Sequence, residues 1–237
     1  MFPPDRPGAI PTARQKLGAD DRGSGGTAGG QRSSPVAIGG ALIMEHVRAF
    51  VAIELDDALK AALGRIQAQL KRGRMSHVAR WVSPESIHLT LKFLGDVPVD
   101  RVEDIKQAIQ RACISLGPFS IAVSDTGCFP TASRPRVIWV GIGGDTEELA
   151  RLQHSVESEL VGIGFAAERR RFHPHLTLAR TKRNVRSHER AQLGESVSAA
   201  NADEPASMAV REVSLMRSDL RPTGAVYTRL AAIPLRE

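Results

Sequence analysis

Aromatic side chains make up only 4% of the 237 residues, and Tyr227 is the single tyrosine. A surface that holds nucleic acid mainly by stacking bases on rings needs more of them, so tight base stacking is not expected. Cysteine is scarcer still. Cys113 and Cys128 are the only two, and neither sits in a Cys-x-x-Cys or other metal-type spacing. Two thiols in a chain of this size build no disulfide framework, which points to a reducing cytoplasm. No run approaches the ~18 apolar residues of a membrane span. One apolar stretch, Val36 to Met44, follows Arg32 as part of an export signal would. It lies far from the N-terminus, however, and Glu45-His46 stand where small cleavage-site residues belong, so export is not expected either. The glycines at 141, 143 and 144 form neither a GxGxxG nor a phosphate loop, so no nucleotide cofactor is expected.

What is present is an apolar fraction of 42%, enough for one sizeable domain, and a net charge of +6 with a pI near 9.9. The excess suits a phosphate-bearing partner. Residues 1–43 differ from the rest: four prolines lie between Pro3 and Pro11, followed by a Gly/Ser-rich stretch from Asp20 to Ser34. Such composition buries too little apolar surface to offset chain entropy, and a disordered tail is expected. Met44 directly precedes a strand-like segment, so it is a candidate natural start; native peptides from before Met44 in a mass spectrum would refute that. The remaining 44–237 carries 27 basic and 23 acidic residues, a net +4.

Beyond Arg48 strands and helices alternate. The apolar pattern predicts strands at Ala49–Leu55, Ile87–Leu94, Phe119–Val123, Val137–Ile142, His175–Ala179, Ser207–Met216 and Ala225–Ile233. It predicts helices at Asp57 to about Lys71, Val99 to about Leu116, Thr146 to about Val161, and from about Ser187. A shift of 87 positions superposes four segments without gaps. His88-Leu89-Thr90-Leu91 falls on His175-Leu176-Thr177-Leu178, and Ala49–Leu55 on Arg136–Ile142. Ser120–Val123 falls on Ser207–Val210, and Arg134-Pro135 on Arg221-Pro222. One shared tetrapeptide is weak; four segments at one offset imply an internal duplication. The expected fold is α+β and bilobal: two pseudo-twofold-related lobes of antiparallel sheet with flanking helices around a central cleft.

The repeated tetrapeptide carries the chemistry. A strand sends alternate side chains to opposite faces. His88 and Thr90 therefore share one face, with Lys92, while Leu89, Leu91 and Phe93 share the other. In the second copy His175 and Thr177 oppose Leu176 and Leu178. A twofold axis would aim both polar pairs at one small volume. Imidazole titrates near neutrality, so one ring can act as base and the other as acid. Threonine hydroxyls donate to anionic oxygens. The symmetry-equivalent Arg134 and Arg221 are candidates for added positive charge. The set suits a phosphodiester, and its proton transfers and orientation call for no metal.

The stretches RAFVAIEL, RWVSPESIHLTLKFLGDV, GCFPTASRPRVIWVGI, RRFHPHLTLAR and LMRSDLRPTGAVYTRL run from about Met44 to the end. In that order the chain resembles the RNA 2',3'-cyclic phosphodiesterases, formerly called 2'-5' RNA ligases, of the two-histidine (2H) phosphoesterase superfamily. The resemblance implies a bilobal hydrolase with a V-shaped cleft that opens a terminal 2',3'-cyclic phosphate of RNA to a 2'-phosphomonoester. It implies that His88 protonates the departing 3'-oxygen, that His175 activates water, and that Thr90 and Thr177 bind the phosphate. It also implies a cytoplasmic RNA-processing enzyme, expected as a monomer and without a membrane partner. One departure stands out: the family often has an aromatic in the strand before Arg-Ser, where this chain has Met216.

Other residues fit blander roles. His173-Pro174-His175 could be half of a zinc site with His154 or His188, but the spacing is not characteristic and no acid lies in the motif. Pro174 should break the strand before His175. Trp81, Trp139 and Phe50 read as core or cleft wall, and Arg169 to Arg171 as a solvated loop. Three alternatives to hydrolysis stay open: 2'-5' end joining, action on other cyclic nucleotides, and RNA-end binding without turnover.

Overall fold

The computed structural model describes residues 45–73, 75–200, 205–222 and 224–236, so the tail of residues 1–43 and the candidate start at Met44 lie outside the described residues. The alternating apolar segment His46–Glu54 forms β1, and the Asp56 carboxylate caps the helix that follows by accepting from the Leu59 amide at 2.8 Å. That helix, α1 (Asp57–Lys71), buries Leu59, Leu63, Ile66 and Leu70, one face at the spacing read from the sequence. After it come β2 (Ala79–Trp81), β3 (His88–Pro98), α2 (Val102–Cys113), β4 (Phe119–Phe129) and β5 (Val137–Gly144). The chain continues through α3 (Thr146–Gly162), β6 (His175–Thr181), α4 (Ser187–Ser198), β7 (Ser207–Val210), β8 (Glu212–Arg221) and β9 (Gly224–Pro234).

The strands form one antiparallel sheet in the order β7-β4-β5-β6-β3-β1-β8-β9, with β2 paired to β6. The order is symmetric about its centre, where β3 and β6 meet through the single pair Leu89↔Leu176. Each half is one lobe of the expected α+β fold. The duplication reaches into the hydrogen-bond register. In the first lobe Val51 pairs with Lys92 and Ala52 with Thr90, skipping Leu91. In the second Ile138 pairs with Ala179 and Trp139 with Thr177, skipping Leu178. Every one of these positions is related to its counterpart by 87 residues.

The skipped residues are β-bulges, and they overturn part of the alternation read from the sequence. An extra residue flips every side chain beyond it to the other face. Lys92 therefore leaves the His88 face for the interior, 6% exposed, and its ammonium donates to Glu157 Oε1 at 2.7 Å and to the Ala166 carbonyl at 2.9 Å. Phe93 moves the opposite way and is 69% exposed. The Lys92–Glu157 pair ties α3 and the loop after it to the strand that carries His88. Removing one partner from such a buried pair costs about 3–5 kcal/mol.

The main apolar core lies between one sheet face and the helices, and Leu89, Leu176 and Leu178 are wholly buried in it. A smaller cluster of Phe50, Ala52 and Met216, with Tyr227 against it, occupies the other face. Helix α4 approaches the loop after β4 so closely that a Cβ on Gly194 would collide with the Ala132 carbonyl. Among the described residues no helix is long and apolar enough to cross a membrane.

Candidate active site

The smaller cluster floors a cavity of about 360 Å³ lined from both lobes, and His88, Thr90, His175 and Thr177 all line it. The leucines between them face the core, so burial of Leu89 and Leu176 fixes which way the histidines point. Both imidazoles are anchored alike. His88 Nδ1–H donates to the Ser86 carbonyl at 3.0 Å, and His175 Nδ1–H donates to the His173 carbonyl at 2.7 Å. A carbonyl only accepts, so each ring carries its proton on Nδ1 and leaves Nε2 for proton exchange.

The rings are held by aromatic contacts. Phe50 stacks on His88 at 4.7 Å between centroids, and Tyr227 meets it edge-on at 4.8 Å. Phe129 meets His175 edge-on at 5.0 Å, with Trp139 and His173 packed behind. Four of the chain's ten aromatics thus gather at the two histidines. Phe50, read as core from the sequence, is 2% exposed yet lines the cavity, as do Phe93 and Tyr227. Met216 lies beneath Phe50 in the position where the family often has a ring.

The electrostatic surroundings differ. Burial is the main influence on His88 and lowers its pKa; the bond to the Ser86 carbonyl and the Glu54 carboxylate push it back up. Glu54 is paired across the ladder with His88 and is held by the Ser214 hydroxyl at 2.6 Å and by the Arg229 guanidinium. Burial also lowers the pKa of His175, where the bond to the His173 carbonyl opposes it, while the His173 imidazole and Arg180 lower it further. Burial pushes the Cys113 thiol and the half-buried Cys128 thiol up to about 11, so both are poor nucleophiles.

Arg134 and Arg221 do not line the cavity. Arg134 lies in the loop that joins β4 to β5, and Arg221 ends β8, two strands removed from β3. The cationic side chains in the wall are Arg48 and Arg180 instead. Strict alternation would not place Arg180 beside His175 and Thr177; the bulge at Leu178 does. The offset of 87 pairs Arg180 with Phe93, which the equivalent bulge brings to the same cavity. His173 is exposed, outside the strand that begins at His175. Among the described residues no group of three or more His, Cys, Asp or Glu side chains is placed to hold a metal ion.

A profile of the 2'-5' RNA ligase superfamily matches residues 55–222. The RNA 2',3'-cyclic phosphodiesterase of Methanothermobacter thermautotrophicus is 38% identical over 80% of this chain and 99% of its own length. The RNA 2',3'-cyclic phosphodiesterase of Archaeoglobus fulgidus is 32% identical over 78% of this chain and 98% of its own. The crystal structure of apo E. coli LigT superposes with a TM-score of 0.64 at 26% identity, covering 81% of this chain and 99% of that one. A symmetric antiparallel sheet, two anchored histidines in one cavity and this breadth of similarity lead to one assignment: the chain belongs to the 2'-5' RNA ligase superfamily.

Proposed function

We propose that the cavity binds the 2',3'-cyclic phosphate at an RNA end and hydrolyses it to a 2'-phosphomonoester. His175 Nε2 takes a proton from water as its oxygen attacks phosphorus. The P–O3' bond breaks, and His88, protonated on Nε2, gives its proton to the departing 3'-oxygen. Thr90 and Thr177 donate to the non-bridging oxygens, and Arg48 and Arg180 supply positive charge where negative charge builds on the phosphoryl oxygens. Proton exchange with solvent restores both rings. The observation that carries this reading is that both His/Thr pairs line one cavity with both Nδ1 atoms anchored to carbonyls. The carboxylate beside His88, and the imidazole and guanidinium that lower the pKa of His175, support the division into acid and base.

The relatives' names support the substrate. One chain supplies both histidines, so a monomer suffices. The family's description favours a companion activity: if a 5'-hydroxyl replaces water, the same broken P–O3' bond yields a 2'-5' linkage. The test is a short RNA ending in a 2',3'-cyclic phosphate, incubated in EDTA. We expect a 2'-phosphate product in the presence of the chelator. A 3'-phosphate product, or no turnover, would refute the reading, and 2'-5' joined product on adding a 5'-hydroxyl RNA would establish the companion activity.

A further inference from the structure

Three segments meet where β6 leaves the cavity: residues 75–84, 126–138 and 177–188. Together they contain seven arginines and lysines and no aspartate or glutamate. They are joined through the sheet. Arg80 pairs directly with Arg180, and Val137 pairs with Arg180 from the other side. The Thr181 amide donates to the Arg136 carbonyl at 3.0 Å, and the Lys182 amide donates to the Val78 carbonyl at 2.9 Å. Arg80, Arg136, Arg180, Lys182 and Arg183 are all exposed, and none forms an ion pair among the described residues. By contrast, Arg101, Arg111, Arg151, Arg217 and Arg229 each have a carboxylate.

Directly opposed residues of an antiparallel pair point to the same face, so Arg80 and Arg180 set two like charges side by side. Such a pair weakens a sheet, and no acid relieves it. The arrangement becomes favourable when an anion lies across both. Arg180 reaches the cavity, and Arg80 and Lys182 continue outward from it. A cyclic phosphate at the 3' end of RNA is followed outward by the internucleotide phosphates of the same strand.

We propose that Arg80 and Lys182 form a track for the internucleotide phosphates that precede the terminal phosphate, so that the protein takes an RNA strand in preference to a mononucleotide. This rests on the RNA-end reading of the cavity. Phosphate contacts of this kind position a strand without reading its bases, and they make affinity fall with salt by about 0.7 logarithmic units per contact on single strands.

The experiment compares a nucleoside 2',3'-cyclic phosphate with a pentanucleotide ending in the same group, across about 50 to 200 mM KCl. It uses the wild type and the Arg80→Gln/Lys182→Gln double variant. We expect the wild type to favour the pentanucleotide by at least about tenfold in kcat/KM at low salt, through KM. The double variant should lose most of that preference while its mononucleotide turnover is unchanged, and its salt slope on the pentanucleotide should fall by about 1.4. Equal losses on both substrates, or an unchanged slope, would overturn the track. Anisotropy of a labelled pentanucleotide carrying a 3'-phosphate reads the same slope without turnover. If the wild type turns over neither substrate, the phosphodiesterase reading fails while the binding slope still decides the track. Salt-sensitive binding that the double variant leaves intact would assign the surface to another partner. Arg80→Gln alone should keep or raise Tm because it removes one of two facing cations; a purely structural Arg80 would lower it.

Discussion

His88 and His175 occupy equivalent places in two lobes built alike, yet their neighbourhoods carry opposite charge. The backbone repeats down to the bulge that follows each histidine and the carbonyl two residues before it. Three substitutions at the offset of 87 break the symmetry. Glu54 beside His88 corresponds to Gly141, Ser86 corresponds to His173, and Phe93 corresponds to Arg180. All three act in the same sense, giving His88 a carboxylate and giving His175 an imidazole and a guanidinium that lower its pKa. A carboxylate in the second lobe would also have to displace the Ser124 hydroxyl, because a Cβ on Gly141 would lie 2.6 Å from Ser124 Oγ. The comparison teaches that the repeated backbone supplies the pair of imidazoles, and that their unlike neighbours give them the unequal electrostatic settings that the proposed division into acid and base requires.

The largest expected effect comes from removing either member of the pair. His88→Ala and His175→Ala should each lower kcat on a cyclic-phosphate RNA by about 10²- to 10⁴-fold, with an unchanged Tm; near-normal turnover in either would break the proposal. Next come the hydroxyls. Thr90→Val and Thr177→Val should each reduce kcat/KM by about tenfold to a hundredfold, the value of a hydrogen bond to a charged oxygen. A loss in one lobe only would mean that the phosphate sits off the pseudo-twofold axis. The Leu89↔Leu176 pair that joins the lobes tests their shared core. Leu89→Ala and Leu176→Ala should each cost about 3 kcal/mol in urea unfolding, as other fully buried leucines do.

Two mirrored substitutions sharpen the charge comparison. The rate should be bell-shaped in pH, with apparent pKa values that belong to the coupled pair. Glu54→Gln removes a negative neighbour, disfavours protonated His88 and should move the alkaline limb to lower pH. His173→Asn keeps the carbonyl that anchors His175 and removes an imidazole that lowers the His175 pKa, so the acid limb should move to higher pH. Parallel movement of both limbs in either variant would contradict the separation of roles. The smallest effect is on stability. Both histidines have folded pKa values below the unfolded 6.5. The unfolded chain therefore binds more protons, and stability should be intact above pH 6.5 and fall as pH drops through the folded values. His88→Asn should flatten part of that fall in thermal melts.

Much of this was legible in the chain. The two His-x-Thr tetrapeptides and the constant offset located the lobes, the strands that bear the histidines and the faces they present. The bulges at Leu91 and Leu178 were not legible, because an inserted residue leaves no mark on an apolar run. A strict period of two therefore sent Lys92 to the cavity and Phe93 to the core, the reverse of their places, and it passed over Arg180. Arg134 and Arg221 looked apt because they are symmetry-equivalent, but equivalence says nothing of distance from the histidine strands. The three-residue β2 is too short to show a period, and the polar Ser124-Asp125-Thr126-Gly127 hid the length of β4. Composition also does not show where rings gather, and folding concentrates the few there are around the two imidazoles.

The most direct test of an acid at His88 and a base at His175 is a phosphodiester whose leaving group needs no proton, such as bis(4-nitrophenyl) phosphate. We predict that His88→Ala recovers most of its lost rate on this substrate relative to the cyclic-phosphate RNA, while His175→Ala stays slow on both. Equal recovery by the two variants, or recovery by His175→Ala alone, would contradict the account.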